Sequence, residues 1–199
     1  MTTLTVADVR ASVLASIDSR LAYESSKNSD NLNMQTTLQK LRKSFDHDAI
    51  ASVMLASNVN ADFINVAERS NARFNVYAAE KVQNLLAYVA KQSLHLNHYT
   101  LHILKTCDAM TKADMLMTHS DAVASCSSDS KISDKTRAKL VSRYARLTSA
   151  NTASTQASSS LNALKVCNVI EETRDASNNV AYRVRDTDAA KTLLAMLNA

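Results

Sequence analysis

Four basic side chains, Lys135, Lys139, Arg143 and Arg146, recur at spacings of three and four residues in the segment KTRAKLVSRYARL, 135–147. At 100° per residue they fall within about 80° of one another on a helix, a cationic stripe that can follow a phosphate backbone. Arg137 points away from the stripe and reads as structural. The next segment, 153–167 (ASTQASSSLNALKVC), divides into two faces. Ala153, Ala157, Leu161, Leu164 and Cys167 form an apolar one. Thr155, Ser158, Ser159, Asn162 and Lys165 form its opposite, a set of short donors and acceptors of the kind that reads base edges.

Other constellations suggest chemistry less strongly. His95, His98 and His102 stand at i, i+3 and i+7, a spacing that brings three imidazoles to one helix face, as a zinc ion would need. No carboxylate or cysteine joins them, and Leu96, Tyr99, Leu101, Ile103 and Leu104 occupy the other side, so they read as a wet polar face and no metal is expected. Asp46-His47-Asp48 could suggest acid–base work but sits at a helix junction, where such residues cap. Cys107, Cys126 and Cys167 lack zinc spacing and are odd in number, which suits a reducing compartment; Cys167 reads as a small core residue. Met110, Met115 and Met117 read as core filler.

The 199 residues include no glycine, no proline and no tryptophan, where average usage gives about 14 Gly and about 10 Pro. That removes the phosphate-binding P-loop, the dinucleotide fingerprint, the nucleophile elbow and the calcium loop, all of which need glycine. An enzyme is not expected, nor a cofactor. Ala (30), Ser (24), Leu (21) and Asn (16) dominate, pointing to helices joined by Ser, Asn and Asp. The longest apolar run, Leu85–Ala90, has six residues, far below the roughly 20 of a membrane span. With no visible secretion signal, a cytoplasmic location and no membrane partner are expected.

Charge is segregated. Net charge is +4 overall; residues 1–130 carry 12 basic and 13 acidic side chains, residues 131–199 carry 11 and 6. Such an excess is the mark of a polyanion-binding module.

The elements that must position these residues follow from periodicity. Val6, Val9, Val13, Ile17 and Leu21 predict a helix over 6–23; 34–45 and 47–57 read as short helices. From Ala61 the pattern runs helically to about Leu94, a long helix of dimerising type. Residues 96–117 read as another helix, and Ser120–Ser130, with five serines, as a linker-like loop. Ile132 stands as a short strand before helix 135–147; Ser149–Thr152 reads as a turn before helix 153–167. Strands 169–174 and 180–185 are joined by a turn at 175–179, and Thr187–Asp188 caps a last helix. The expected division is a helical region over 1–94 and a second module over 95–199.

The order strand, helix, turn, helix, hairpin, helix resembles a winged helix-turn-helix over about 131–185, with 96–117 as its first helix. The segment from Thr155 to Glu172, a Ser-rich helix followed by a turn residue and Val-Ile-Glu-Glu, carries the likeness. Asn168 stands where that family usually has Gly, so Asn168, Asn178 or Asn179 should adopt left-handed conformations. The fold class expected is therefore mainly α, with a C-terminal winged helix and a small β-hairpin. The resemblance implies double-stranded DNA as partner, a homodimer on half-sites about one helical turn apart, and wing contacts from Arg183 and Arg185. The competing expectation is a helical interaction or assembly protein of viral or mobile-element type, a scaffold or an inhibitor capturing a protein partner, with the same module as docking surface.

Overall fold

The computed structural model describes residues 4–66, 73–127 and 149–198. The protein is mainly helical, with a small three-stranded antiparallel sheet in its C-terminal part. The chain gathers into two compact units, Met1–His95 and Leu96–Ala199.

In the first unit α1 spans Val6–Lys27. Thr5 caps it reciprocally with Asp8, each side chain meeting the other's backbone N–H, so two of the orphan donors at the helix start are satisfied. Its buried stripe is Val9, Val13, Ile17, Arg20 and Glu24. It thus ends on an ion pair and not on Leu21, which the periodicity favoured. The stripe packs on α2 (Leu32–Phe45) and α3 (Asp48–Ala56), burying Leu38, Leu41, Phe45, Ile50 and Met54, each contributing roughly 1.5–3 kcal/mol. Phe63 closes this core, 6.0 Å from Phe45 and edge-on to Phe74 at 5.5 Å.

The long helix expected over 61–94 is not present. Phe63–Asn65 is one 3-10 turn, and α4 runs only over Val76–Val89. Among the described residues the longest helix is instead α1, with 22 residues. Asn60, Asp62 and Asn65 consume the 61–66 stretch in local bonds: Asn60 Oδ1 accepts from Asp62 N, and Asn65 donates to Asp62 and to the Ser16 carbonyl. Side chains that bond neighbouring backbone compete with helix. Asn75 Oδ1 then accepts from Tyr77 N and starts α4 afresh.

The second unit begins with α5 (His98–Lys112), capped by Asn97, then β1 (Met117–Thr118) and α6 (His119–Cys126). The linker-like loop expected over 120–130 is therefore helical through Cys126. Thr118 and Asp121 form a second reciprocal cap, and Ser125 hides its hydroxyl on the Ala122 carbonyl at 2.7 Å. A serine-rich segment can be buried helix once its hydroxyls bond backward. Residues 128–130, and the strand expected at Ile132, lie outside the described residues.

Helix α7 covers Ala150–Val166, so the turn expected at 149–152 is already helical from Ala150. Strands β2 (Ile170–Arg174) and β3 (Val180–Val184) form the hairpin, and α8 (Asp188–Asn198) closes the described chain. Sheet order is β1-β3-β2, all antiparallel, with Met117 opposite Tyr182 and Glu171 opposite Arg183. Helices α5, α6 and α7 pack on each other around Ile103, Leu104, Cys107, Met110, Ala157, Leu161 and Leu164. Thr111 welds α5 to the sheet: its hydroxyl accepts from Val184 N at 3.0 Å and donates to the Cys107 carbonyl at 2.8 Å.

Lacking glycine, four helices among the described residues close on a left-handed residue of another type: Asn58 (φ 51°), Lys91 (φ 57°), Asp114 (φ 53°) and Asn168 (φ 57°). In each case the left-handed N–H and the next one reach back to consecutive carbonyls. After α4 these bonds are Lys91 to Tyr88 at 3.0 Å and Gln92 to Ala87 at 2.8 Å; after α7 they are Asn168 to Lys165 and Val169 to Leu164, both 3.0 Å. Two carbonyls at each helix end are thereby satisfied.

Candidate nucleic-acid interface

Helix α7 is the element on which the two-faced pattern was read. Ala153, Ala157, Leu161, Leu164 and Cys167 are all buried. On the other side Asn151, Thr152, Ser154, Thr155 and Ser158 are exposed, and Asn162 and Lys165 are half-buried. Ser159 does not join them. It is buried at 5 % exposure, and its hydroxyl donates to the carbonyls of Thr155 (3.0 Å) and Gln156 (3.1 Å), so no donor is left for a ligand. Asn151, Thr152 and Ser154 extend the exposed face toward the helix start. Sequence reading missed them because Ser149–Thr152 looked like a turn; the available signal was Ser149 as a residue type favoured before a helix start, although its side chain makes no cap bond.

The face is almost without charge, since Lys165 is the lone ionised side chain of α7. Its ammonium lies 3.2 Å from Glu172. His119, the first residue of α6, approaches from the neighbouring helix, its Nε2 3.0 Å from Ser158 Oγ. Burial holds the His119 imidazole below the ordinary histidine range, which favours the neutral ring.

The hairpin cations are engaged as well. Glu171 receives Arg183 Nε at 2.5 Å and lies 3.7 Å from Arg185 Nε. Arg185 Nη1 also donates to Asn168 Oδ1 at 2.6 Å. These pairs sit at 38 % to 55 % side-chain exposure on the arginines, where ion pairs are weak and exchangeable. The turn is held by Asp175, whose Oδ1 accepts from Ser177 N (2.9 Å) and Asn179 N (2.8 Å). Hydrogen bonding from the Asn179 backbone is the main cause that keeps this carboxyl below its usual range. Asn178 takes φ 62°. Lys135, Lys139, Arg143 and Arg146 lie outside the described residues.

The remaining constellations resolve into structure. His98 and His102 share α5, whereas His95 precedes the Asn97 cap, its N–H and carbonyl both held by Ser93. The expected i, i+3, i+7 helical register therefore does not exist. Among the described residues no group of three His, Cys, Asp or Glu is placed to hold a metal. Asp46 and Asp48 clamp Arg10 of α1, at 2.5 and 3.0 Å, and His47 begins α3 without a side-chain cap bond. The three cysteines are buried and form no disulfide. Burial raises the Cys107 thiol to about 12 and raises Cys167 as well, so neither is a nucleophile near neutral pH. Among the described residues no helix is long and apolar enough to cross a membrane. No protein family, curated protein or solved structure matches this chain.

Proposed function

We propose that this is a non-enzymatic, sequence-specific DNA-binding protein that uses its C-terminal unit as a winged helix, acting as a cytoplasmic homodimer in transcription regulation or another DNA-directed role. The observation that carries the reading is α7. It is a 17-residue helix with a buried Ala/Leu face and a neutral hydroxyl-and-amide face, followed directly by a hairpin. Helix–strand–helix before it and the sheet order β1-β3-β2 are the arrangement such a module needs. In this reading Thr155, Ser158 and Asn162, with Asn151 and Ser154, face base edges. Lys135, Lys139, Arg143 and Arg146 anchor phosphates, and Lys165, Arg183 and Arg185 exchange their carboxylate partners for phosphate. Ser159 drops out of the base-contacting set.

Fluorescence anisotropy of a labelled random-sequence duplex against rising salt tests the reading. The four anchors alone give a slope of log K on log[salt] of about −3.6 per protomer, and with Lys165, Arg183 and Arg185 on phosphates about −6.3. Absence of binding, or a flat line, overturns it. One observation favours the alternative, a helical interaction or assembly protein of viral or mobile-element type. The hairpin arginines are already satisfied by Glu171 and Asn168, as in a surface built for a protein partner. Capture of one stoichiometric protein partner, unaffected by Lys139→Glu and Arg143→Glu, is its signature.

A further inference from the structure

The first unit contains a cavity of about 310 Å³ between α1, α2 and the start of α4, within the size range of small-ligand sites. Its polar walls include Arg20, Arg73, Asn33 and Thr37, and its apolar walls Met34 and Phe74. Arg20 is buried at 4 % exposure. Its Nε donates to Glu24 at 2.7 Å, and its Nη1 donates to the Ile64 and Phe74 carbonyls at 2.8 and 3.2 Å. Among the described residues nothing accepts from Nη2, so a deeply buried donor pair on this wall is unspent. Arg73 stacks on the Tyr23 ring, 3.6 Å from its centroid, and gives Nη1 to Asn65 at 3.3 Å.

Charge points the same way. Among the described residues the two guanidiniums share one carboxylate, Glu24. Burial raises its pKa, but hydrogen bonds from Asn28 and Arg20 and the charges of Arg20 and Arg73 outweigh this and hold it ionised. Among the described residues one positive charge is left over beside the cavity, and the N-terminus of α4 adds partial positive charge. An oxyanion would use both the spare donors of Arg20 and the spare charge of the half-buried Arg73.

We propose that this cavity binds a small organic oxyanion, its carboxylate, sulfonate or phosphate on Arg20 and Arg73 and its apolar body against Met34 and Phe74. The proposal concerns the first unit and is independent of DNA binding. The test is titration of the full chain with 8-anilinonaphthalene-1-sulfonate, followed by fluorescence, beside the uncharged 1-anilinonaphthalene. Expected is one saturable site whose affinity falls at least about tenfold for Arg73→Gln and for the uncharged probe, the scale of one charge-assisted hydrogen bond. Thr37→Phe, which fills the cavity, should abolish the signal while urea unfolding remains cooperative. No saturable binding, equal affinity for both probes, or binding undiminished in Arg73→Gln or Thr37→Phe overturns the proposal.

Discussion

Lys91 shows what a chain without glycine must accept. Its φ of 57° sets Cβ against the following carbonyl, a cost of roughly 1–2 kcal/mol for an ordinary side chain. It is tolerated because the bonds to Tyr88 and Ala87 satisfy the end of α4. Its side chain is exposed. Lys91→Gly should therefore stabilise the protein, by about 0.5–1 kcal/mol once the added freedom of the unfolded chain is subtracted, seen as a higher urea midpoint at unchanged slope. Asn168 has nearly the same φ but a different outcome. Its Oδ1 holds Arg185 and its carbonyl accepts from Thr187 at 3.3 Å. Asn168→Gly relieves little strain, because Asn suits this region, and it strips a charged hydrogen bond worth about 1.5–3 kcal/mol. That variant should lower the urea midpoint, and the opposite signs of the two substitutions separate a strained closure from one that Asn completes.

At the scale of elements, the periodic helices were legible and the exceptions have local causes. Val9, Val13 and Ile17 mark α1, because burial on one face leaves a period in the sequence; the alternation at Val180–Val184 locates β3, although its buried residues are the neighbours Ala181 and Tyr182. Asn168 and Asn178 were legible as left-handed for a chemical reason, there being no glycine to take their place. Two failures share one mechanism, side chains bonding nearby backbone. Asn60, Asp62 and Asn65 break what apolar spacing made one long helix, and Ser125 and Ser159 turn inward although hydroxyls count as polar. The two-residue β1 was not legible, since nothing local marks a strand so short; its pairing with β3 makes it one. His119 was missed because its meaning is tertiary: it joins α6 to α7 through Ser158. Its pKa, like that of His102, is lowered chiefly by burial, so the unfolded chain binds more protons than the native one. Stability from these groups is complete above the unfolded pKa of about 6.5 and is lost as pH falls through it toward the lower folded values. Urea midpoints should therefore drop between pH 7.5 and 5.5, and His119→Gln should flatten that dependence. An unchanged pH profile in the variant would show that His119 titrates alike in the folded and unfolded chain.

For the molecule as a whole, the net charge of +4 has a definite address. Residues 128–148 hold six basic side chains, Lys131, Lys135, Arg137, Lys139, Arg143 and Arg146, against Asp129 and Asp134, while the rest of the chain is balanced. The described C-terminal elements follow that balance closely, with Glu171, Glu172 and Asp186 answering Arg183, Lys165 and Lys191. The neutral face of α7 carries no long-range attraction of its own, so in the DNA-binding reading affinity and sequence preference reside in different segments. Lys139→Glu with Arg143→Glu should weaken binding to every duplex alike and make the salt slope shallower by about 2. Ser158→Ala with Asn162→Ala should leave the slope and the affinity for random duplex unchanged and reduce discrimination among selected sequences. Arg183→Gln lies between these cases, because a cation already 2.5 Å from Glu171 must give up that partner to meet a phosphate, so its loss should cost less than that of a free lysine. Anisotropy titrations of the three variants on one selected and one random duplex, at two salt concentrations, measure all of these terms. Equal effects on both duplexes from the α7 pair would assign α7 to the backbone and remove it from sequence reading.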